Sequence, residues 1–339
     1  MNDADPKPDL NSVTVGLNAV LATVDDDTPK VLSIKGHDGT PAIPYGAFDP
    51  VEHRTFEIGV RNWVERQTSL KLGYIEQLYT FGDKGREAPA ALLTNDPSTT
   101  RIISVGYLAL ARSPAEDRAQ NSEWRTWYEF FPWEDWRASE PTLIGETILP
   151  ALDDWAGRGE TPTLRAERIA LAFGRTSLGW EEERALDRYE LMYEAGLVHE
   201  AWRDRRAAGL KLPSADQSLS DVTGTTMASD HRRILATAIG RLRGKLKYRA
   251  VIFQLMADQF TLLDLQKAVE AIVGFSLHKQ NFRRSVEQSG LVTKTGASVQ
   301  QSSGRPAALF KVSDAARLDR AMKGLTIPRV KRSPSAKQS

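Results

Sequence analysis

The chain has 339 residues, with 45 Lys+Arg against 44 Asp+Glu for a net charge of +1, and it contains no cysteine. The length implies two or three domains. The missing cysteines exclude disulfides, thiolate zinc sites and a thiol nucleophile, and they fit a cytoplasmic protein. No apolar run approaches the roughly 20 residues of a membrane helix. The opening MNDADPKPDLNS is too acidic and polar for a signal peptide. The five histidines are scattered without ligand spacing, so no metal site is expected.

The near-neutral total conceals a division. Residues 229–339 hold 21 Lys+Arg and 7 Asp+Glu, whereas the preceding 228 residues hold 24 and 37. An acidic body joined to a basic C-terminal third points to one domain that faces a polyanion.

In chain order, residues 13–24 and 30–34 are β-branched and apolar and form a hairpin about the turn 25–29. A Pro/Gly loop at 42–50 leads into a helix over 54–69, with Phe56, Val60, Trp63 and Val64 as its apolar stripe. Residues 73–82, 101–111 and 124–131 read as strands, the second apolar enough to be buried on both faces. Together these segments describe an α/β sandwich. Residues 139–211 switch to helical spacing in 143–155, 164–173 and 180–195, with Gly196 as a stop. Residues 212–230 are polar and uniform and read as a linker; 231–246 is a basic helix.

Residues 261–287 carry the strongest local signal. Thr261 is a good N-cap, and Leu262, Leu265, Val269 and Ile272 share one helix face. Gly274 breaks that helix. The next one, from His278, turns Phe282 and Val286 inward and Gln280, Arg284 and Glu287 outward, with Asn281 and Arg283 at the flanks. This is the pattern of a helix-turn-helix; the plain alternative is a helical pair with a solvated basic face. Residues 291–299 and 306–312 flank SSGR as a wing hairpin. Such a winged helix would put Gln280, Asn281, Arg283 and Arg284 in the major groove, and Lys279 and Thr261 near phosphates. Lys294 or Arg305 of the wing would touch the backbone or minor groove. The basic helix has no stacking aromatics, which disfavours single-stranded RNA. The expected partner is double-stranded DNA, read as a palindromic operator by a homodimer.

The glycine loop before a helix, followed by EQLYTFGD at 76–83 and RIISVGYLAL at 101–110, resembles a Nudix fold. With HRRILATAIGRLRGKL, KQNFRR and GRPAALFKV, the chain resembles the Nudix-related transcriptional regulators of NAD metabolism. It is most similar to the alphaproteobacterial branch that carries a helical insertion. The resemblance covers 13–137 and 231–312. It implies an α+β chain with a Nudix-like α/β/α sandwich at 13–138 and an all-helical insertion and linker at 139–228. A winged helix would follow at 229–325, then a basic tail at 326–339. It further implies a ligand-responsive repressor of NAD biosynthesis or salvage genes, with ADP-ribose or a related NAD metabolite as effector.

A Nudix hydrolase needs the pattern G-x5-E-x7-R-E-U-x-E-E-x-G-U, U being a bulky aliphatic residue. Its clustered glutamates hold Mg²⁺ against a pyrophosphate. Matching QTSL at 67–70 to the usual ending puts Trp63, Arg66 and Gln67 at the glutamate positions; a slide by one puts Asn62, Glu65 and Arg66 there. No adjacent carboxylate pair survives either way. The expectation is therefore no catalytic residue, no metal and no required cofactor, in a pocket that holds a nucleotide without cleaving it. Candidate pocket residues are Arg54 and Arg61 for phosphate, with Gln77, Tyr79, Phe81, Arg101 and Tyr107 from the strands. Each has a bland alternative: the arginines pair with Glu57 and Glu65, and the aromatics are core. The aromatic cluster at 124–136 is either an adenine platform or core at a domain seam. Rival functions are an active ADP-ribose pyrophosphohydrolase with an accessory nucleic-acid-binding domain, and an adaptor that contacts RNA or an acidic partner.

Overall fold

A computed structural model describes residues 12–36, 38–86, 99–112, 121–158, 160–300 and 306–318. The expected tail at 326–339 and Arg305 lie outside the described residues.

The expected hairpin is β1 (Ser12–Asp25) and β2 (Thr28–Lys35), antiparallel, with Ala22 opposite Val31. Its turn residues Asp26 and Asp27 both have positive φ, which Asp tolerates better than most side chains. Two short strands follow, β3 (Pro41–Ala42) and β4 (Tyr45–Ala47). Next come helix α1 (Phe56–Thr68), β5 (Tyr74–Phe81), β6 (Thr99–Leu110) and β7 (Ser122–Thr126). The sheet runs β3-β2-β1-β6-β5, with β4 paired to β1 and β7 to β2. Its centre is the parallel pair β1–β6, with Leu17 opposite Val105 and Ala19 opposite Tyr107.

Side-chain alternation divides this central pair between two layers. Leu17, Ala19, Leu21, Val105, Tyr107 and Ala109 pack with Val60 and Val64 of α1. Val20, Ala22, Leu108 and Leu110 join the larger core, together with Ile234, Leu235 and Ala238 of α7 (His231–Tyr248). The second helical layer of the sandwich is therefore α7, which touches β1, β5 and β6.

The basic helix expected at 231–246 is thus packed on the sheet rather than confined to the C-terminal domain. Arg232 and Arg243 have no exposed side-chain surface. Arg232 pairs with Glu200, Arg233 with Asp83, Glu190 and Asp230, Arg243 with Glu134, Lys245 with Glu76, and Lys247 with Glu182 and Glu183. Five of the 21 cations of the C-terminal third are thus matched within the protein.

The strand expected over 124–131 is shorter. It ends at Thr126, whose hydroxyl accepts from Tyr128 N–H at 3.3 Å and starts the short helix α2 (Trp127–Phe130). Trp127, Phe130, Phe131 and Trp133 are at most 1% exposed. The cluster is core at a seam: Phe131 meets Tyr189 edge-on at 6.1 Å, and Trp136 meets Trp180 at 4.5 Å. The insertion comprises α3 (Leu149–Gly157), α4 (Pro162–Ala172), α5 (Ala185–Ala195) and α6 (His199–Ala207). Gly196 ends α5 in the left-handed conformation (φ 80°), as its position in the sequence suggests.

The segment 212–230 is a packed strap rather than a free linker. Ser220 and Thr223 are fully buried, and the Thr223 hydroxyl donates to Leu197 C=O at 2.7 Å. Thr225 N–H donates to Glu129 C=O at 2.9 Å. Its buried hydroxyls, Ser220 and Thr223, satisfy backbone carbonyls, while Ser214, Asp216, Gln217, Ser218 and Asp221 face water.

Candidate functional site: a winged helix seated on the sandwich

The first helix of the reading unit is α8 (Leu262–Val273). Thr261 Oγ accepts from Asp264 N–H at 3.1 Å while Asp264 Oδ2 accepts from Thr261 N–H at 2.9 Å, a reciprocal capping box. Thr261 is buried. The cap expected from the sequence is present, and its burial sets Thr261 apart from the exposed side chains expected to meet DNA.

The C-terminal end of α8 is held by three other parts of the chain. Tyr128 O–H donates to Ala271 C=O at 2.7 Å, and Arg243 Nε donates to Ile272 C=O at 2.8 Å. Arg243 also meets Glu134, which accepts from Arg188 Nε at 2.6 Å and Nη2 at 2.9 Å. Arg243 thereby caps a carbonyl at the negative end of the α8 dipole. Burial opposes ionisation of Glu134, but Arg188 and Arg243 outweigh it and hold the carboxyl below its ordinary range. Gly274 then turns the chain at φ 84°, and Trp136 N–H donates to its carbonyl at 2.6 Å. A Cβ on Gly274 would lie 2.4 Å from Glu134 O. Glycine is therefore required twice, for conformation and for room.

The second helix is α9 (Lys279–Gln288). Phe282 and Val286 are 1% exposed and anchor it. Lys279, Gln280, Asn281, Arg283 and Arg284 are all exposed. Among the described residues, none of these five side chains makes an ion pair. The wing is β8 (Val292–Val299) with β9 (Ala307–Val312), Lys294 standing opposite Phe310 and exposed. Phe260 and Phe310 exchange backbone hydrogen bonds at 3.0 and 2.8 Å and pin the wing to the start of α8.

The candidate ligand residues do not converge. Gln77 and Tyr107 are cross-strand partners; Tyr107 is buried on the α1 face and Gln77 is exposed. Tyr79 sits in the β5 bulge and is 62% exposed. Phe81 is corrected to core on the opposite face, beneath Arg233 of α7. Arg101 is exposed and donates to Gly82 C=O. Arg54 is exposed ahead of α1. Arg61 is held by Glu57 at 2.8 Å and by the carbonyls of Leu72 and Gly73.

The helix positions matched to the Nudix glutamates have structural work. Trp63 Nε1 donates to Ala47 C=O at 2.8 Å, and Gln67 exchanges two hydrogen bonds with the Tyr45 backbone. Arg66 lies over the Trp63 ring at 5.6 Å. The sequence reading missed a cleft of about 940 Å³ on the opposite flank of α1. Arg61 and Glu57 line it with Tyr74, Arg112, Lys245 and Arg249. Its walls come from α1, β5, α7 and the winged helix, a combination no single motif reveals.

Residues 252–312 match the family model of the NrtR DNA-binding winged helix domain. An 85-residue stretch is 40% identical to the ADPR responsive transcriptional repressor NtrR of Acinetobacter baylyi, covering 25% of this chain and 34% of that relative. The fold is similar to Shewanella oneidensis NrtR complexed with a 27mer DNA, at TM-score 0.53 and 20% identity over 92% of this chain and 99% of that one. The same protein without DNA gives TM-score 0.51 at 20% identity. The chain is thus NrtR-like in fold over 92% of its length, and its residues 252–312 match the NrtR DNA-binding winged helix domain.

Proposed function

We propose that this protein is a transcriptional repressor that binds duplex DNA through α9 and responds to ADP-ribose or a related NAD metabolite. Its targets are genes of NAD biosynthesis or salvage. The observation that carries the reading is α9 itself: Lys279, Gln280, Asn281, Arg283 and Arg284 project outward from a helix whose other face is anchored. Amide and guanidinium groups are the ones that read base edges bidentately. The relative from Acinetobacter is an ADPR responsive repressor, and the Shewanella protein was seen with DNA. A homodimer on a palindromic operator is the arrangement such a reader uses.

The protein acts without hydrolysis or a required cofactor in this reading. Support comes from α1, where Trp63 and Gln67 hold the β4 backbone at positions that a hydrolase gives to metal-binding carboxylates. The division of labour is a sensing sandwich at 13–138, an insertion and strap at 139–228, and a DNA-reading unit that ends the chain. We assign α7 to the shared core, so that the DNA-reading unit begins near residue 252. A gel shift on the upstream region of its own gene, repeated with a scrambled duplex, tests the proposal. Preference for the native duplex is expected; equal affinity for both removes operator reading. Turnover of ADP-ribose with Mg²⁺ would restore the hydrolase instead.

A further inference from the structure

The reading helix α9 is held by little of its own surface. Of its ten residues, Phe282 and Val286 are the two that are buried. Its N-cap, His278, makes no side-chain hydrogen bond to the helix. The direction in which α9 leaves the protein is therefore set by the turn before it, residues 274–277. One side of that turn is fixed to the segment that follows α2. Trp136 N–H donates to Gly274 C=O at 2.6 Å, and Ser276 Oγ donates to Arg137 C=O at 2.8 Å. The other side is held at Leu277, the last residue before the N-cap. Leu277 N–H donates to Glu270 Oε1 at 2.6 Å. Gln266 Nε2 donates to Leu277 C=O at 3.1 Å and to the same Glu270 oxygen at 2.9 Å.

Gln266 and Glu270 stand one turn apart on α8, so their side chains share a face and meet. Three hydrogen bonds thus close a ring on one residue of the turn. Both backbone groups of Leu277 are engaged, so the chain cannot swing about this residue without breaking the ring. Glu270 is otherwise badly placed. It lies in the last turn of α8, where the helix dipole disfavours a carboxylate. It is also one of four carboxylates in residues 252–312, with Asp258, Asp264 and Glu287, in a unit that meets a polyanion. Asp264 caps α8 and Asp258 pairs with Arg112. What the Glu270 carboxylate gains is its two donors, and a charged acceptor holds them more strongly than a neutral one.

We infer that Glu270, together with Gln266, is a positioning residue for base reading: by fixing Leu277 it sets the angle at which α9 meets the duplex. The inference rests on the DNA-reading function proposed above. Phosphate contacts from long cationic side chains tolerate a change of that angle, whereas bidentate contacts to base edges do not. Loss of the clamp therefore lowers the preference for the operator rather than the affinity for duplexes in general.

The test measures Kd of the full chain for the native upstream duplex and for its scrambled counterpart, at one salt concentration. The variants are Glu270→Ala, Glu270→Asp and Glu270→Gln. Alanine removes the clamp, aspartate keeps the charge but is one methylene too short, and glutamine keeps the reach and an acceptor oxygen without the charge. Alanine and aspartate are expected to lower the ratio of the two affinities by about ten-fold, the scale of one lost base contact. Glutamine should hold the ratio within about two-fold, since its neutral acceptor still meets Leu277 N–H. Thermal melting checks that the variants fold, and aspartate carries the test if alanine does not. A ratio unchanged in all three variants overturns the positioning role while the reader stands. So does a ratio that glutamine and alanine lower alike, which assigns the effect to charge. A fall in both affinities with the ratio kept makes Glu270 a support of the fold alone and also overturns it. If the unaltered chain itself prefers neither duplex, the DNA-reading function fails and the positioning role falls with it.

Discussion

Glu134→Gln removes the carboxylate that joins the sandwich, the insertion and the reading unit. The side chains of Glu134, Arg188 and Arg243 are all 0% exposed, so no solvent screens the loss. The carboxylate accepts from Arg188 at 2.6 and 2.9 Å and from Arg243; a glutamine offers one acceptor oxygen and two hydrogens that face donors. Stranding one buried charge costs about 3–5 kcal/mol, and here two cations lose their partner, so a loss of about 4–5 kcal/mol is expected. That is a large share of a total near 5–15 kcal/mol. Urea unfolding followed by tryptophan fluorescence should show a lower midpoint with an unchanged slope. Because the Glu134 pKa is depressed in the fold, its contribution is present above the ordinary carboxylate pKa and is lost as pH falls through the folded value. The deficit of the variant should therefore shrink in acid. Glu57→Gln, at the half-exposed end of the Arg61 pair, is the control and should cost less than about 1 kcal/mol. If Glu134→Gln lies within about 1 kcal/mol of the parent, the view of this hub as a charge-balanced core is refuted.

Arg284→Ala should cost about 1–3 kcal/mol on the operator and relax preference at one position. Lys279→Ala should weaken all duplexes alike and lower the salt slope by about one; identical behaviour of the two variants would mean that α9 faces the groove differently. Thr261→Ala should cost about 1 kcal/mol of stability through the lost cap, with base preference unchanged, as read by melting and a binding-site competition. His231 is buried and its Nδ1 accepts from Ile43 N–H at 3.3 Å, and burial lowers its pKa to about 3. Its neutral form therefore contributes stability that is complete above about pH 6.5 and declines as pH falls toward 3. A difference profile against His231→Gln should show that slope, and a flat difference would contradict the burial.

Elements with local signatures were legible in the sequence. The capping residue Thr261, the apolar faces of α8 and α9 and the break at Gly274 lie within 30 residues of one another, and their periodicity is set by nearest neighbours. What the sequence concealed depends on distant partners. Arg243 meets Glu134 across 109 positions, and Arg232 meets Phe130 C=O across 102. A run of arginines looks solvated until such partners are known, which is why α7 read only as a basic helix. The strap at 212–230 was concealed for the same reason, its hydroxyls being matched to carbonyls elsewhere. The pocket was hardest to read. Phe81 and Tyr107 fit a strand alternation equally well as ligand contacts or core, and the bulge between Gln77 and Thr80 shifts which face each residue takes.

The seat beneath Gly274 separates two meanings of the word domain. Residues 252–312 are recognisable as a unit of descent, yet they are not closed as a unit of folding. Cut free, the stretch would expose the carbonyls of Ala271 and Ile272 and the backbone at Gly274 and Phe275 that bridges to Trp136. A graft of α8 and α9 onto another sensor would have to carry Tyr128, Glu134 and Arg243 with it, though all three are buried. The seating of α9 therefore depends on residues that a binding assay alone would class as unrelated to DNA.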